Sequence, residues 1–233
     1  MSRRNTGHLR RAEDRFRTDA VDAGIVTFHS FSFGQHYDPE RIGFGPLMAI
    51  NEEHLAPGAG YDEHHHDGVE IVTWVLEGVL EHRDSTGTHG LIHPGVLQRL
   101  SAGSGVTHTE VNASSDAPLV FLQMMLRSDH AGAPEYSQAQ VAPTAANSIE
   151  IHAPARVTVL APGHHELSGP VLIHVTRGAA MIDHDALESG DEMVIEDPAV
   201  RVTVAVPEGG EALAVSSLHA HRHLERELDP NSY

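Results

Sequence analysis

Short apolar runs separated by turn-forming residues recur along most of this chain. Typical runs are IVTWVLEG at 71–78, PLVFLQMML at 118–126 and RVTVAV at 201–206. Each run has the length of one strand, and turn residues cluster between the runs, as at 56–58 (Ala-Pro-Gly) and 189–191 (Ser-Gly-Asp). Helical patterns are few and short. The pattern predicts an all-β fold built as a sandwich or a barrel.

The two halves of the chain carry a similar pattern on either side of a polar segment. A strand ending in VLEG at 75–78 precedes this segment, and a strand ending in VTRG at 175–178 follows it. The segment itself, residues 131–148, is rich in Ala, Pro and Ser and has little apolar periodicity, which predicts a linker. We therefore expect two tandem β-barrels of related design, at 1–130 and 149–233.

Histidines at alternate positions mark a candidate metal site in the first half. Side chains two residues apart on a strand share a face, so His64 and His66 project together while His65 points away. The same spacing pairs His108 with Glu110. If the two strands face each other, three imidazoles and one carboxylate converge. Such a donor set suits a divalent first-row metal ion and leaves coordination positions open.

Some histidine pairs are expected by chance, because the chain holds 20 histidines among 233 residues. His219, His221 and His223 repeat the spacing within HAHRHLEREL, where small and charged neighbours favour a solvated C-terminal helix. We expect the first barrel to carry the chemistry and the second to be structural.

The composition and the net charge of the chain argue against some classes of function. Hydrophobic residues make up 40% of the chain and charged residues 21%, as in ordinary globular proteins. The net charge is −18 and all 15 basic residues are arginines, so direct binding to nucleic acid is not expected. The locally basic residues 1–17 are interpreted as a solvated terminus or, alternatively, as a contact arm.

The absence of cysteine and of long apolar runs also restricts the possibilities. Without cysteine, a transition metal depends on His and carboxylate ligands. No run is long and apolar enough to predict a membrane span. We expect a soluble, cytoplasmic protein without a membrane partner, and a monomer as the default.

The motif around the histidines resembles a known superfamily. Gly58, His64-x-His66 and Glu70 are similar to the first motif of the cupins. More specifically, residues 43–114 resemble the pirin family, whose members carry two cupin domains. The resemblance implies two tandem cupin-type barrels, each a jelly-roll-like double-stranded β-helix, with the metal site in the first.

The resemblance also implies a ligand set. The implied metal ligands are His64, His66, His108 and Glu110. Glu70, a ligand in many other cupins, would instead hydrogen-bond a ligand imidazole and fix its tautomer. Pirins often have Pro between the two histidines and Arg after them, where this chain has His65 and Asp67. The change from Arg to Asp makes the rim of the pocket less favourable for anionic substrates.

For the whole protein the resemblance implies a quercetin 2,3-dioxygenase-like reaction. A flavonol would bind the metal through its 3-oxygen, Glu110 would take the 3-hydroxyl proton, and dioxygen would open the ring with release of carbon monoxide. Fe(II) is the favoured ion, with Mn, Ni, Cu or Zn as alternatives. Gln123 is expected to point into the same barrel. Phe44, Trp74 or Met124 would pack the aromatic substrate, or belong to the core.

Two other functions remain open at this point. One is a metal-binding, redox-responsive regulatory protein that contacts a transcription factor or a metabolic enzyme, for which an acidic surface suits a basic partner. The other is a metal-free structural protein. An enzyme needs an open metal position and a cavity for a flavonol, whereas a regulator needs neither.

Overall fold

Almost all regular structure in the chain is β-strand. The computed structural model describes residues 7–142 and 147–218. Across these two ranges the only helical elements are two 3-10 helices, Ala12–Asp14 and Val21–Ala23. The prediction of an all-β fold with few short helices is therefore confirmed.

The strands up to residue 142 are β1 His8–Arg10, β2 Phe16–Ala20, β3 Ile25–His29, β4 Leu47–Leu55, β5 Gly60–His66, β6 Val69–Glu77, β7 Leu80–Asp84, β8 His89–Ile92, β9 Val96–Ser101, β10 Val106–Asn112, β11 Leu119–Arg127 and β12 Glu135–Gln140. The strands from residue 147 onward are β13 Asn147–Ile149, β14 Ala155–Leu160, β15 Gly163–Ser168, β16 Val171–Arg177, β17 Ala179–Ile182, β18 Asp185–Glu188, β19 Glu192–Ile195, β20 Arg201–Val206 and β21 Glu211–Ser217.

The first barrel consists of a seven-stranded sheet and a four-stranded sheet. The strand orders are β12-β9-β6-β11-β4-β3-β2 and β5-β10-β7-β8. Side chains alternate along each strand, so every second residue of β6 and β11 faces the interior. On β6, Ile71 and Val75 belong to two separate apolar clusters, and Thr73 lies between them. On β11, Gln123 lies opposite Thr73. The barrel therefore has a polar middle between two apolar layers.

The second barrel repeats this design with an apolar interior. Its sheets have the strand orders β1-β19-β16-β21-β14-β13 and β15-β20-β17-β18. Strand β20 pairs with β15 as β10 pairs with β5 in the first barrel. The inward residues of β20 are Val202, Val204 and Val206, and all three belong to one buried aliphatic cluster. The prediction of two tandem barrels is confirmed. Aliphatic side chains fill the middle of the second barrel.

The two barrels pack against each other through a shared apolar core. Trp74 and Met124 of the first barrel belong to the same buried cluster as Leu172 and Val215 of the second. Phe44 lies in this cluster as well. These aromatic and Met side chains therefore face the second barrel and not the interior of the first. The expectation that they pack a substrate is wrong, and the alternative that they belong to the core is correct.

The segment predicted as a linker contains a strand. Within 131–148, β12 extends the large sheet of the first barrel by pairing with β9. Its sequence, EYSQAQ, is mostly polar because the strand lies at the edge of the sheet with one side exposed. At the other end of the chain, β1 pairs with β19 of the second barrel. Strand β12 thus belongs to the first barrel although it lies beyond residue 130, and β1 belongs to the second barrel although it lies before residue 149.

The basic segment near the start contacts both barrels. Arg11 Nη1 lies 2.6 Å from Asp191 Oδ2, and Arg15 Nη1 lies 2.8 Å from Glu52 Oε2. From residue 7 onward the segment therefore packs against the protein itself and is not a solvated terminus. The predicted C-terminal helix with its His-x-His spacing lies outside the described residues. No helix within the described ranges has the length and apolar character needed to cross a bilayer.

Candidate metal centre

Three imidazoles meet inside the first barrel. The ring centroids of His64 and His108 are 4.3 Å apart, those of His64 and His66 4.9 Å, and those of His66 and His108 5.1 Å. One ring nitrogen of each residue lies within 4.8 Å of the other two. His65 points away, with Nε2 3.4 Å from Asp67 Oδ2 at the surface. The two-residue spacing on β5 and the pairing of β5 with β10 produce this convergence, as the sequence predicts.

Glu110 is displaced from this group by an irregularity in the strand pairing. His108 lies opposite His64, but the register shifts before Glu110, which lies opposite Tyr61. Glu110 instead forms a second donor group with His82 and His108. The two groups share His108. The four predicted ligands are thus neighbours, but Glu110 must move toward the histidines to join one coordination sphere.

Hydrogen bonds determine which ring nitrogen carries the proton in His64, His82 and His108. His64 Nδ1 lies 2.8 Å from the carbonyl oxygen of Asp62, so it must be the donor. His82 Nε2 lies 3.1 Å from Asp84 Oδ2, so its Nδ1 is left as an acceptor. His108 Nδ1 then donates to His82 Nδ1 at 3.4 Å. The Nε2 lone pairs of His64 and His108 remain available for a metal ion.

Burial keeps the imidazoles of His66 and His108 neutral. Desolvation, followed by the proximity of His64, lowers the pKa of His108 to about 3 and that of His66 to about 4. Neutral imidazole is the form that binds metals. His108 Nε2 is also buried without a hydrogen-bond partner, which is costly unless something occupies that position. The donor set therefore fits a divalent first-row metal ion.

Glu110 is a buried carboxyl group that titrates near neutrality. Its pKa is raised to about 7, mainly by burial, with a lowering contribution from the hydrogen bonds of Gln123 and a smaller raising contribution from nearby Glu53. Gln123 Nε2 donates to Glu110 Oε1 at 3.0 Å and to Oε2 at 2.9 Å. The expectation that Gln123 points into this barrel is therefore confirmed. A carboxyl group with this pKa can both take and give a proton at physiological pH.

Glu70 does not have the role that the sequence suggested. Its Oε2 accepts a hydrogen bond of 2.7 Å from Ser101 Oγ, and its Oε1 is buried without a partner. Along β6, Glu70 alternates with Ile71, which faces the interior, and so shares the opposite face with Trp74. Glu70 therefore neither binds the metal nor orients a ligand imidazole.

A cavity of about 510 Å³ is lined by Tyr61 and Glu53, but by none of the four candidate metal ligands. Tyr61, whose ring centroid is 6.2 Å from that of His64, forms part of its wall. Tyr61 Oη and Thr27 Oγ1 each donate a 2.6 Å hydrogen bond to Glu53 Oε2, and Phe33 adds an aromatic face. A cavity of this size with a few polar groups on an apolar wall is typical of a small-molecule site.

Three residues that support the centre were not predicted from the sequence. His82 and Asp84 orient His108, and the ring of Tyr136 stacks on His82 with centroids 4.9 Å apart. His82-x-Asp84 on β7 has the same two-residue spacing that identified the ligands, so this signal was present. Tyr136 lies in the segment predicted as a linker and had no such signal.

We expect His82→Ala to weaken divalent-metal binding by roughly 10- to 100-fold, the usual effect of removing a partner that orients a ligand. The substitution removes the acceptor that holds the Nδ1 proton of His108. Calorimetric titration of the metal-free protein with Ni²⁺ measures the effect. Arg83→Ala, at an exposed neighbouring position, is the matched control. Equal affinities of His82→Ala and the wild type would contradict the proposed orientation of His108.

Comparison with known proteins places the chain in a family. The family model for pirin matches residues 10–126, about half of the chain. The chain belongs to the pirin family. A Mycobacterium tuberculosis protein named "Putative quercetin 2,3-dioxygenase" is 46% identical over 127 residues, which cover 54% of this chain and 51% of that protein. The Escherichia coli quercetin 2,3-dioxygenase is 38% identical over 132 residues, 56% of each chain. This pirin spans about half the length of the curated relatives that it matches.

The fold of this pirin is shared over nearly its whole length with a solved structure. The bacterial pirin YhhW from Escherichia coli, in complex with nickel(II), has a TM-score of 0.81 and 26% sequence identity. The match covers 90% of this chain and 98% of that chain. The two-barrel architecture is therefore common to both proteins, including the second barrel, which lies beyond the family-model match.

Proposed function

We propose that this pirin is a metal-dependent dioxygenase that cleaves a flavonol such as quercetin with dioxygen. The observation that carries the proposal is the convergence of three imidazoles, with His108 fully buried, next to a buried carboxyl group with a pKa of about 7. The names of the relatives point to the same reaction. In this reaction one flavonol and one dioxygen give a ring-opened ester and carbon monoxide.

His64, His66 and His108 would hold the metal ion, with Glu110 as the fourth ligand after a small movement. When bound, the ion supplies a Lewis acid that polarises the flavonol oxygen and orients the substrate. Three imidazoles and a carboxylate suit iron(II), which we favour, but also manganese, nickel, copper or zinc. Metal analysis of the purified protein identifies the resident ion.

Glu110 is proposed as the base. Its carboxylate would take the proton of the flavonol 3-hydroxyl, and Gln123 would hold the carboxyl group in place through its two hydrogen bonds. The cavity beside Tyr61 would receive the aromatic rings, with Phe33 as a packing surface and Glu53 as a polar partner for a phenol. The low dielectric of this site strengthens each of these interactions.

We expect Glu110→Gln to retain metal but to lower quercetin turnover by roughly 100-fold or more, the usual contribution of a general base. Gln is nearly isosteric with Glu but cannot take the proton. Oxygen uptake and carbon monoxide release, measured separately with each candidate metal loaded, provide the test. Glu63→Gln, an exposed carboxylate on the same sheet, is the control. Unchanged turnover of Glu110→Gln would rule out its role as base, and no oxygen uptake with any metal would overturn the proposed function.

A further inference from the structure

We propose that His130, Glu135 and His152 form a second divalent-metal site, which binds zinc, where the chain passes between the barrels. His130 follows β11, Glu135 begins β12, and His152 lies between β13 and β14. One donor atom of each lies within 4.8 Å of the other two. We call these three residues the clamp cluster. It is separate from the centre at His64 and does not depend on the proposed function.

The distances within the clamp cluster match those between ligands of one ion. His152 Nε2 lies 3.1 Å from Glu135 Oε2, and His130 Nε2 lies 3.8 Å from Glu135 Oε1. Two ligands about 2.1 Å from a tetrahedral zinc ion stand about 3.4 Å apart. The two observed separations lie on either side of this value. The second is too long for a hydrogen bond, and His130 Nε2 instead lies 3.4 Å from the carbonyl oxygen of Ala133, a contact that it would give up to bind an ion.

The surrounding residues hold the donors in this arrangement. Ser128 Oγ accepts a 3.2 Å hydrogen bond from the backbone N–H of His130 and donates a 3.1 Å one to the carbonyl oxygen of His152. The two imidazoles lie nearly parallel, with centroids 4.1 Å apart, so one ring must turn before the in-plane lone pairs of both Nε2 atoms point at one ion. A Cβ atom at Gly132 would lie 2.6 Å from the ring of His130, so glycine leaves room for this ring.

The charge of the cluster is compatible with a cation. Arg99 Nη2 donates a 2.8 Å hydrogen bond to Glu135 Oε2, the same oxygen that faces His152. Arg99 contacts only Oε2, so Oε1 remains directed at His130. Two imidazoles, one carboxylate and a water molecule make up a common zinc ligand set.

An ion in the clamp cluster would link three segments that otherwise meet only through hydrogen bonds. It would also hold β12, whose Tyr136 follows Glu135 directly and stacks on His82 beside the first centre. Zinc would therefore raise the thermal stability of the protein, because it binds the folded chain and not the unfolded one.

The experiment uses the full chain with other histidine sites removed. The background variant carries His64→Ala and His108→Ala, which disrupts both donor groups of the first centre, and His219→Ala, His221→Ala and His223→Ala near the C-terminus. Metal-free protein is titrated with Zn²⁺ against a chromophoric chelator, and its thermal unfolding is recorded with and without Zn²⁺. We expect one zinc ion per chain and a rise in Tm. Adding His130→Ala or His152→Ala should lower the affinity at least about tenfold and remove the rise in Tm.

His184→Ala, at an exposed turn of the second barrel, is the matched control and should leave zinc binding unchanged. If the background variant binds no zinc, the clamp cluster is not a metal site. If it binds zinc with the same affinity after His130→Ala and His152→Ala, the ion is held elsewhere and the proposal is equally overturned. Quercetin turnover plays no part in either result, so failure of the proposed function is distinguished from failure of this inference.

Discussion

His108→Ala is expected to abolish tight binding of a divalent metal at the first centre. His108 belongs to both donor groups, is 2% exposed, and has a buried Nε2 without a partner. Its loss removes a direct ligand, so the affinity should fall well beyond the roughly 100-fold that the loss of an orienting partner produces. Calorimetric titration of the metal-free variant with Ni²⁺ measures the change.

His65→Ala is the matched control for this substitution. His65 lies in the same histidine triplet but faces the surface next to Asp67, so its loss should leave metal affinity unchanged. Circular dichroism of both variants checks that the barrels remain folded. Wild-type affinity in His108→Ala would show that the three imidazoles do not share an ion. Reduced affinity in His65→Ala would instead point to a strand shifted by one residue.

The imidazoles of the first centre could be predicted because a strand has a strict period of two. That rule places His64 and His66 on one face, and His108 joins them because β10 pairs with β5. The same spacing recurs at His219, His221 and His223, so the resemblance to the pirin motif was also needed to choose this pair. The position of Glu110 could not be obtained in this way. The register shift between His108 and Glu110 comes from the local geometry of two strands in contact, and nothing in the sequence of either strand alone specifies it.

The sequence alone also could not show which side chains of β6 point into the first barrel. Residues Val69 to Val75 are all buried, since one face of the strand meets the barrel interior and the other meets the second barrel. A strand that is buried on both faces has a continuous apolar sequence. Its sequence then does not alternate, and so does not show which side chains point into the barrel and which point toward the neighbouring barrel. Alternation along β6 therefore could not show that Glu70 and Trp74 face away from the interior of the first barrel.

The packing of Trp74 between the barrels leads to the largest expected effect on stability. Trp74 is 2% exposed within the shared core, and its Nε1 donates a 2.7 Å hydrogen bond to Glu211 Oε1 of the second barrel. Trp74→Ala should lower the free energy of unfolding by about 3–5 kcal/mol, because it leaves a large cavity in the interface. Urea denaturation followed by circular dichroism measures this loss.

Trp74→Phe separates packing from hydrogen bonding at the same position. Phenylalanine keeps most of the apolar contact, and Glu211 Oε1 still accepts a hydrogen bond from Thr176 Oγ1, so the cost should be about 1 kcal/mol. Metal affinity should change little in either variant, because this side chain faces away from the interior of the first barrel. If Trp74→Ala lost metal and stability in parallel, the centre would depend on the barrel interface, and the two barrels would form one functional unit.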